Sequence, residues 1–174
     1  AIEPEPHLRI AGGRVGRVAE AFARFADLKS PFTLGHSEAV AARAASAAEV
    51  LGLPARARED LRIAALLHDL GKANADFYRA VTGGGPAQTI RHEHISAILL
   101  FEPRVRSWLA GSTLDLDVIT AAVLSHHMKA SRNPESDWGW CRARGASTEV
   151  DLYLTHAEVT RVLDRLAALL ELAE

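Results

Sequence analysis

The chain has 174 residues, 48% of them hydrophobic, and carries 20 Lys and Arg against 22 Asp and Glu, a formal net charge of −2 with His neutral. That length suits one domain, and the near-neutral balance excludes a general nucleic-acid coat while leaving room for a local basic patch. A single cysteine, Cys141, excludes a disulfide framework and a thiolate zinc site. Nothing resembles a signal peptide or approaches the roughly 18 apolar residues of a membrane span, so a reducing, cytoplasmic location is expected.

Residues 1–12 are punctuated by Pro and Gly and read as extended. Across 14–28, Val15, Val18, Ala19, Phe22 and Phe25 recur at helical spacing. Ser30-Pro31 breaks that helix. A second is predicted over 35–51, with Val40, Ala44, Ala47 and Val50 inward and Gly52 as its stop. Pro54 suits the opening of a third. In it Leu61, Ala64, Ala65 and Leu67 lead into His68-Asp69-Leu70-Gly71-Lys72, and Gly71 is expected to end the helix. A short helix over 74–81 precedes a glycine-rich loop, and further helices are expected over 91–101, 105–109 and 114–128.

Residues 129–148 carry Pro134, Gly139 and Gly145 and read as a long irregular loop, a kind that tends to be functional. Val150, Leu152 and Leu154 alternate, as in a short strand or a helix start. From His156 onward, Val159, Val162, Leu163, Leu166 and Leu170 line one face of a last helix. There is no repeat and no strand–helix–strand rhythm. The predicted class is all-α.

Eight histidines are present, and their neighbours say more than their number. His68-Asp69 ends an apolar helix, pairing a nitrogen ligand with a hard oxygen ligand on a rigid base. One residue of helix turns a side chain by about 100°, so the pair can reach two neighbouring cations with Asp69 between them. Alone, the pair reads equally well as a capped helix end. His36 opens the second helix, His92 opens the helix over 91–101, and His126-His127 closes the one over 114–128.

Histidines at the ends of separate helices can converge at one end of a bundle, as ligands from facing helices do. Two cations held there would clamp the attacking and leaving oxygens of a phosphoryl displacement. Such a donor set suits Mn, Fe, Ni or Co better than Mg, with Mg as the alternative. His94 lies two residues from His92 and points to the opposite face, and His7 and His156 have no partner in the pattern. Lys72, just past the helix end, can hold a phosphate oxygen as a point charge or stand solvated. Lys129, Arg132, Arg142 and Arg144 with Trp138 and Trp140 form either a strand-binding track or a solvated loop.

His36 followed by His68-Asp69 within HDLGK resembles the HD phosphohydrolase superfamily over most of the chain. Residues 25–41 look like the opening of its cyclic-dinucleotide-cleaving HD-GYP branch. After the paired histidines, however, the chain reads Met128-Lys129-Ala130-Ser131, without the glycine- and tyrosine-containing signature. HDLGKANADF (68–77), RHEHIS (91–96) and SHHMKAS (125–131) look like the HD nuclease of type I CRISPR interference.

That resemblance implies an all-α HD-domain helical bundle with its metal site at converging helix ends. The chain would be one HD domain over 1–174, either whole or excised from a longer nuclease–helicase. Its implied ligands for one or two divalent ions are His36, His68, Asp69, His92, His126 and His127, with Lys72 and Asp69 catalytic. The implied activity is metal-dependent cleavage of single-stranded DNA, endo- or exonucleolytic. The implied partners are a helicase domain or subunit and a crRNA-guided interference complex. The alternative is an HD-type nucleotide or cyclic-dinucleotide phosphohydrolase. The family's complete site also uses a later Asp, for which Asp151, Asp164 or a residue beyond Glu174 is the expected source.

Overall fold

The computed structural model describes residues 14–28, 32–83, 90–110, 113–127, 157, 160–161 and 163–165. The expectations for His7, residues 129–154 and His156, with Trp138, Trp140 and Asp151 among them, lie outside the described residues. In chain order the helices are α1 (Val15–Asp27), α2 (His36–Val50), α3 (Ala55–Leu67), α4 (Ala75–Val81), α5 (His92–Phe101), α6 (Pro103–Ala110) and α7 (Leu116–Ser125). A 3-10 turn, Leu70–Lys72, links α3 to α4. Among the described residues there is no strand, and those between 157 and 165 are helical. The fold is all-α. No helix among them is long and apolar enough to cross a membrane.

Helix α3 is the hub, packing against α1, α2 and α7, while α5 packs on the 3-10 turn, α6 and α7. Ile63 and Leu67 of α3 are fully buried with Ile119 and Val123 of α7. Each such side chain stabilises the fold by about 1.5–3 kcal/mol. Phe22 stacks on Trp108 with ring centroids 6.2 Å apart, and Leu163 joins the same core. Polar groups at the core margin cap helices instead of standing alone. Asp60 Oδ1 accepts the backbone N–H of Asp115 at 3.0 Å, and the Asp115 carboxylate in turn accepts Val118 N–H at 3.1 Å. This cap starts α7 at Leu116, two residues later than its apolar pattern suggests.

Two expectations are corrected. On α2 the buried positions are Ser37, Ala41 and Ala48, with Val40 and Ala44 partly covered, whereas Ala47 is exposed and Val50 is 88% exposed. Alanines all round this helix leave its apolar face poorly marked. The rotation follows Ser37, whose backbone N–H (3.0 Å) and hydroxyl (2.8 Å) both donate to the buried carboxylate of Asp27 at the end of α1. Second, α3 ends at Leu67, not Gly71: His68 is its cap, Asp69 leaves helical geometry at φ −99°, ψ 8°, and the chain tightens into the 3-10 turn.

Gly71 is therefore not a left-handed stop. A β-carbon there would lie 2.1 Å from the His92 carbonyl oxygen and 2.7 Å from Ser96 N, so only glycine lets α5 approach the turn. Gly71→Ala should destabilise the protein by about 2 kcal/mol or more, because backbone and not a flexible side chain must move. Urea unfolding checks this, and an unchanged midpoint would show that the approach is not tight.

Candidate metal centre

Each histidine of the cluster is placed by a specific local device. Gly35 precedes α2 with φ +74°, a left-handed conformation that glycine takes without strain. Asp27 holds the first turn of α2 through Ser37, and Thr33 Oγ1 donates to the Asp27 carbonyl at 3.1 Å. His36 is thereby fixed at the start of α2 beside the 3-10 turn. Ser96, fully buried, ties that turn to α5: its hydroxyl accepts Gly71 N–H at 2.7 Å and faces the His68 and His92 carbonyls at 2.8 and 2.9 Å. Asn74 caps α4 by accepting Phe77 N–H at 2.9 Å, and its amide donates to the Gly71 carbonyl.

These anchors bring four imidazoles around one carboxylate, with a fifth, His127, beside His92. Asp69 is 1% exposed. Its Oδ2 lies 3.2 Å from His68 Nε2, 3.5 Å from His36 Nε2 and 2.5 Å from Lys72 Nζ. Its Oδ1 lies 3.2 Å from His92 Nε2 and 3.8 Å from His126 Nε2. His127 Nε2 is 3.1 Å from His92 Nε2. Among the described residues, His36, His68 and Asp69 form one group of donor atoms within 4.8 Å of one another, and His92, His126 and His127 form another. Asp69 stands between them, one oxygen to each side.

Two of the ring tautomers follow from their partners. His68 Nδ1 sits 2.7 Å from the Ala65 carbonyl and His126 Nδ1 2.6 Å from the Val123 carbonyl. A carbonyl only accepts, so each Nδ1 carries a hydrogen and each Nε2 is the nitrogen turned towards Asp69. This is the orientation by an outer partner that metal-ligating histidines show.

Burial would raise the Asp69 carboxyl, but His68, His92 and Lys72 outweigh it and hold it well below the usual carboxylate range. Burial pushes His126 down to about 4, against a partly compensating hydrogen bond to Val123. His127 is also lowered, by burial first and then by His92. Near neutral pH both offer unprotonated nitrogen. The cluster also has unmet polar capacity, since Asp69 Oδ1 and His126 Nε2 are buried with no hydrogen-bond partner. Orphaned acceptors facing one another are what a bound cation would satisfy, so the donor set fits a divalent metal.

All six residues singled out as candidate ligands meet here. Lys72, read from sequence as either solvated or phosphate-holding, is largely covered, pairs with Asp69 and lies 5.5 Å from the Phe77 ring centroid. His94 belongs to neither donor group. Asp164, a candidate for the late ligand, is exposed and pairs instead with Arg104 at 2.8 Å. Sequence reasoning assigned no role to Asp27, Ser96 or Glu93. The available signal was a polar residue inside an apolar helical face, as Ser96 is, four residues after His92.

The model of the family described as HD domain matches residues 33–169, which takes in the whole cluster. The chain belongs to the HD domain family. HD domains are metal-dependent phosphohydrolases, and the His/Asp cluster of this one can hold a metal. Over 125 residues, 70% of the chain, it is 31% identical to a putative CRISPR-associated nuclease/helicase Cas3 of Myxococcus xanthus. Over 68 residues, 39% of the chain, it is 41% identical to a 3'3'-cGAMP-specific phosphodiesterase 3 of Vibrio cholerae. These matches span only 16% and 15% of the relatives' own lengths. No solved structure matches at a significant level.

Asp69→Asn in this HD domain should weaken both steps of a two-step Mn²⁺ titration by at least about tenfold, because one carboxylate serves both groups. Calorimetry that found one step unaltered would contradict a shared Asp69. The metal-free protein should also lose stability as pH falls from about 6.5 to about 4. Across that window the unfolded His126 takes up a proton that the folded one, at about 4, refuses. The Asp69 contribution follows at lower pH, present above the unfolded carboxyl value and lost below it. Thermal melts against pH check this, and His126→Gln should flatten the slope.

Proposed function

We propose that this HD domain is a nuclease that cleaves single-stranded DNA in type I CRISPR interference. In this reading it is supplied with DNA by a helicase domain or subunit working with a crRNA-guided complex. The observation that carries the reading is the row of donors centred on Asp69, with His36 on one side and His127 on the other. Both end residues are exposed, His36 to 44% of its side chain, so the row opens to solvent as a polymer substrate requires. The similarity to the Cas3 relative over 70% of the chain supports the same reading.

His36, His68 and Asp69 Oδ2 would hold one divalent ion, and His92, His126, His127 and Asp69 Oδ1 a second. Bound transition-metal ions of the Mn, Fe, Co or Ni kind would supply Lewis acidity at the phosphoryl group and water of lowered pKa. Lys72 holds a non-bridging phosphate oxygen as a point charge, using hydrogens not engaged by Asp69. Phe77, buried beside Lys72 and edge-on to His92 with centroids 5.7 Å apart, keeps bulk water from the floor of the site. The segment that follows His127 carries Lys129, Arg132, Arg142 and Arg144 with Trp138 and Trp140, charges and stacking faces suited to a single strand.

The match to the cGAMP phosphodiesterase supports a second reading, hydrolysis of a cyclic dinucleotide or nucleotide at the same residues. Against it stands the stretch Met128-Lys129-Ala130-Ser131, where that branch carries its glycine–tyrosine signature. The full chain, reconstituted with Mn²⁺, Co²⁺, Ni²⁺ or Mg²⁺, should be incubated with circular single-stranded DNA, duplex DNA, 3'3'-cGAMP and a nucleotide panel. Opening of the single-stranded circle, abolished by chelation, is the expected result. Hydrolysis of cGAMP or mononucleotides with the circle intact would replace the nuclease reading by the second.

A further inference from the structure

Glu93 follows His92 in the first turn of α5 and is only 3% exposed. One carboxylate oxygen, Oε1, pairs with Arg91. The other, Oε2, is buried with no hydrogen-bond partner and lies 3.7 Å from His92 Nδ1. A buried carboxylate oxygen left without a donor is costly, so its position calls for a physical reason.

A comparison among the imidazoles supplies one. His68 and His126 each stand at the C-terminal end of a helix, where the preceding turn offers a carbonyl three residues back to Nδ1–H. His92 is the first residue of α5, so no turn of that helix lies behind it. We infer that Glu93 is the positioning residue for His92, its Oε2 taking the Nδ1–H of that ring when Nε2 engages a cation. The inference rests on the metal-binding reading of the cluster but not on the identity of the substrate.

The chemistry favours the arrangement on three counts. A charged acceptor on Nδ1–H fixes the tautomer that directs the Nε2 lone pair at the ion, and it makes the ring a stronger donor. The contact would be a charge-assisted hydrogen bond, stronger than the neutral carbonyl contacts of His68 and His126. The N-terminal turn of α5 favours the negative charge through the helix dipole. The two halves of the site then differ in kind. The His36–His68 half has Lys72 against its shared carboxylate oxygen, whereas the His92–His126–His127 half has a second carboxylate behind a ligand.

The test is Mn²⁺ calorimetry on the full chain as wild type, Glu93→Gln, Glu93→Ala and Arg91→Ala, with circular dichroism to verify folding. It is joined by histidine ¹⁵N NMR of the Zn²⁺-loaded wild-type and Glu93 proteins. Glu93→Ala should weaken one of two binding steps by about ten- to a hundredfold and leave the other unchanged. It should also remove the protected Nδ1–H signal of His92. Glu93→Gln, nearly isosteric and still offering an oxygen acceptor, should keep that signal and bind with intermediate affinity. Arg91→Ala should bind as wild type.

Equal weakening of both steps, or a loss in Arg91→Ala matching that in Glu93→Ala, would assign Glu93 a structural role and overturn the inference. Wild-type affinity in both Glu93 variants would overturn it too, with the metal reading intact. A wild-type chain that bound no metal would overturn the metal reading together with the inference. If Glu93→Ala does not fold, Glu93→Gln and its His92 signal decide the question.

Discussion

Asp69 carries a negative charge almost wholly out of water, in a stretch of chain flanked by the buried Leu67 and Leu70. An isolated carboxylate in such a place would take up a proton. It stays ionised because His68, His92 and Lys72 surround it, with His36 and His126 within 4 Å. Those groups come from α2, α5, α7 and the turn after α3, so the charge balance of one oxygen pair requires four helix ends to meet. The rest of the architecture can be understood as what makes that meeting precise.

Rigidity at the site is built from contacts outside the cluster's inward-facing donor atoms. The packed core along α1, α3 and α7, with Phe22 against Trp108, sets where the helix ends point. Asp27 then fixes the rotation of α2 through Ser37, and the close fit of Gly71 with Ser96 sets the height of α5 over the turn. Outer hydrogen bonds from Nδ1 to the Ala65 and Val123 carbonyls decide which nitrogen of His68 and His126 faces inward. Each device is modest alone. Their effect is that donors from distant parts of the chain occupy one small volume before any ion arrives, which lowers the ordering cost of binding one.

The halves of the cluster are built alike in ligand type but not in surroundings. On the Oδ2 side a lysine competes for the same oxygen that a cation would use, while on the Oδ1 side the oxygen is unmet and faces an unprotonated His126. Electrostatics therefore distinguish the two positions even though histidine dominates both. This asymmetry bears on any phosphoryl chemistry at the site, because Lys72 stands on one side of Asp69 only.

The amino-acid sequence by itself determined the all-α class, the order of the helices and the identity of the six clustered side chains. Each of those histidines adjoins a helix-end signal that is local: Gly35 before His36, the close of an apolar run at His68, the start of one at His92, the end of another at His126. Helical periodicity likewise marked the buried face of α1, because Val15, Val18, Ala19 and Phe22 differ sharply from their polar neighbours. It failed on α2, where alanine on every side gives no such contrast and a single buried serine sets the rotation. Only the tertiary structure decided that Gly71 is required for space instead of for backbone angle, and that Asp164 answers Arg104. It alone decided which histidines face which oxygen of Asp69. Apart from the adjacent His68, those facts depend on partners 21 to 60 residues away, and a one-dimensional pattern carries periodicity and caps but not the direction in which a folded side chain finally points.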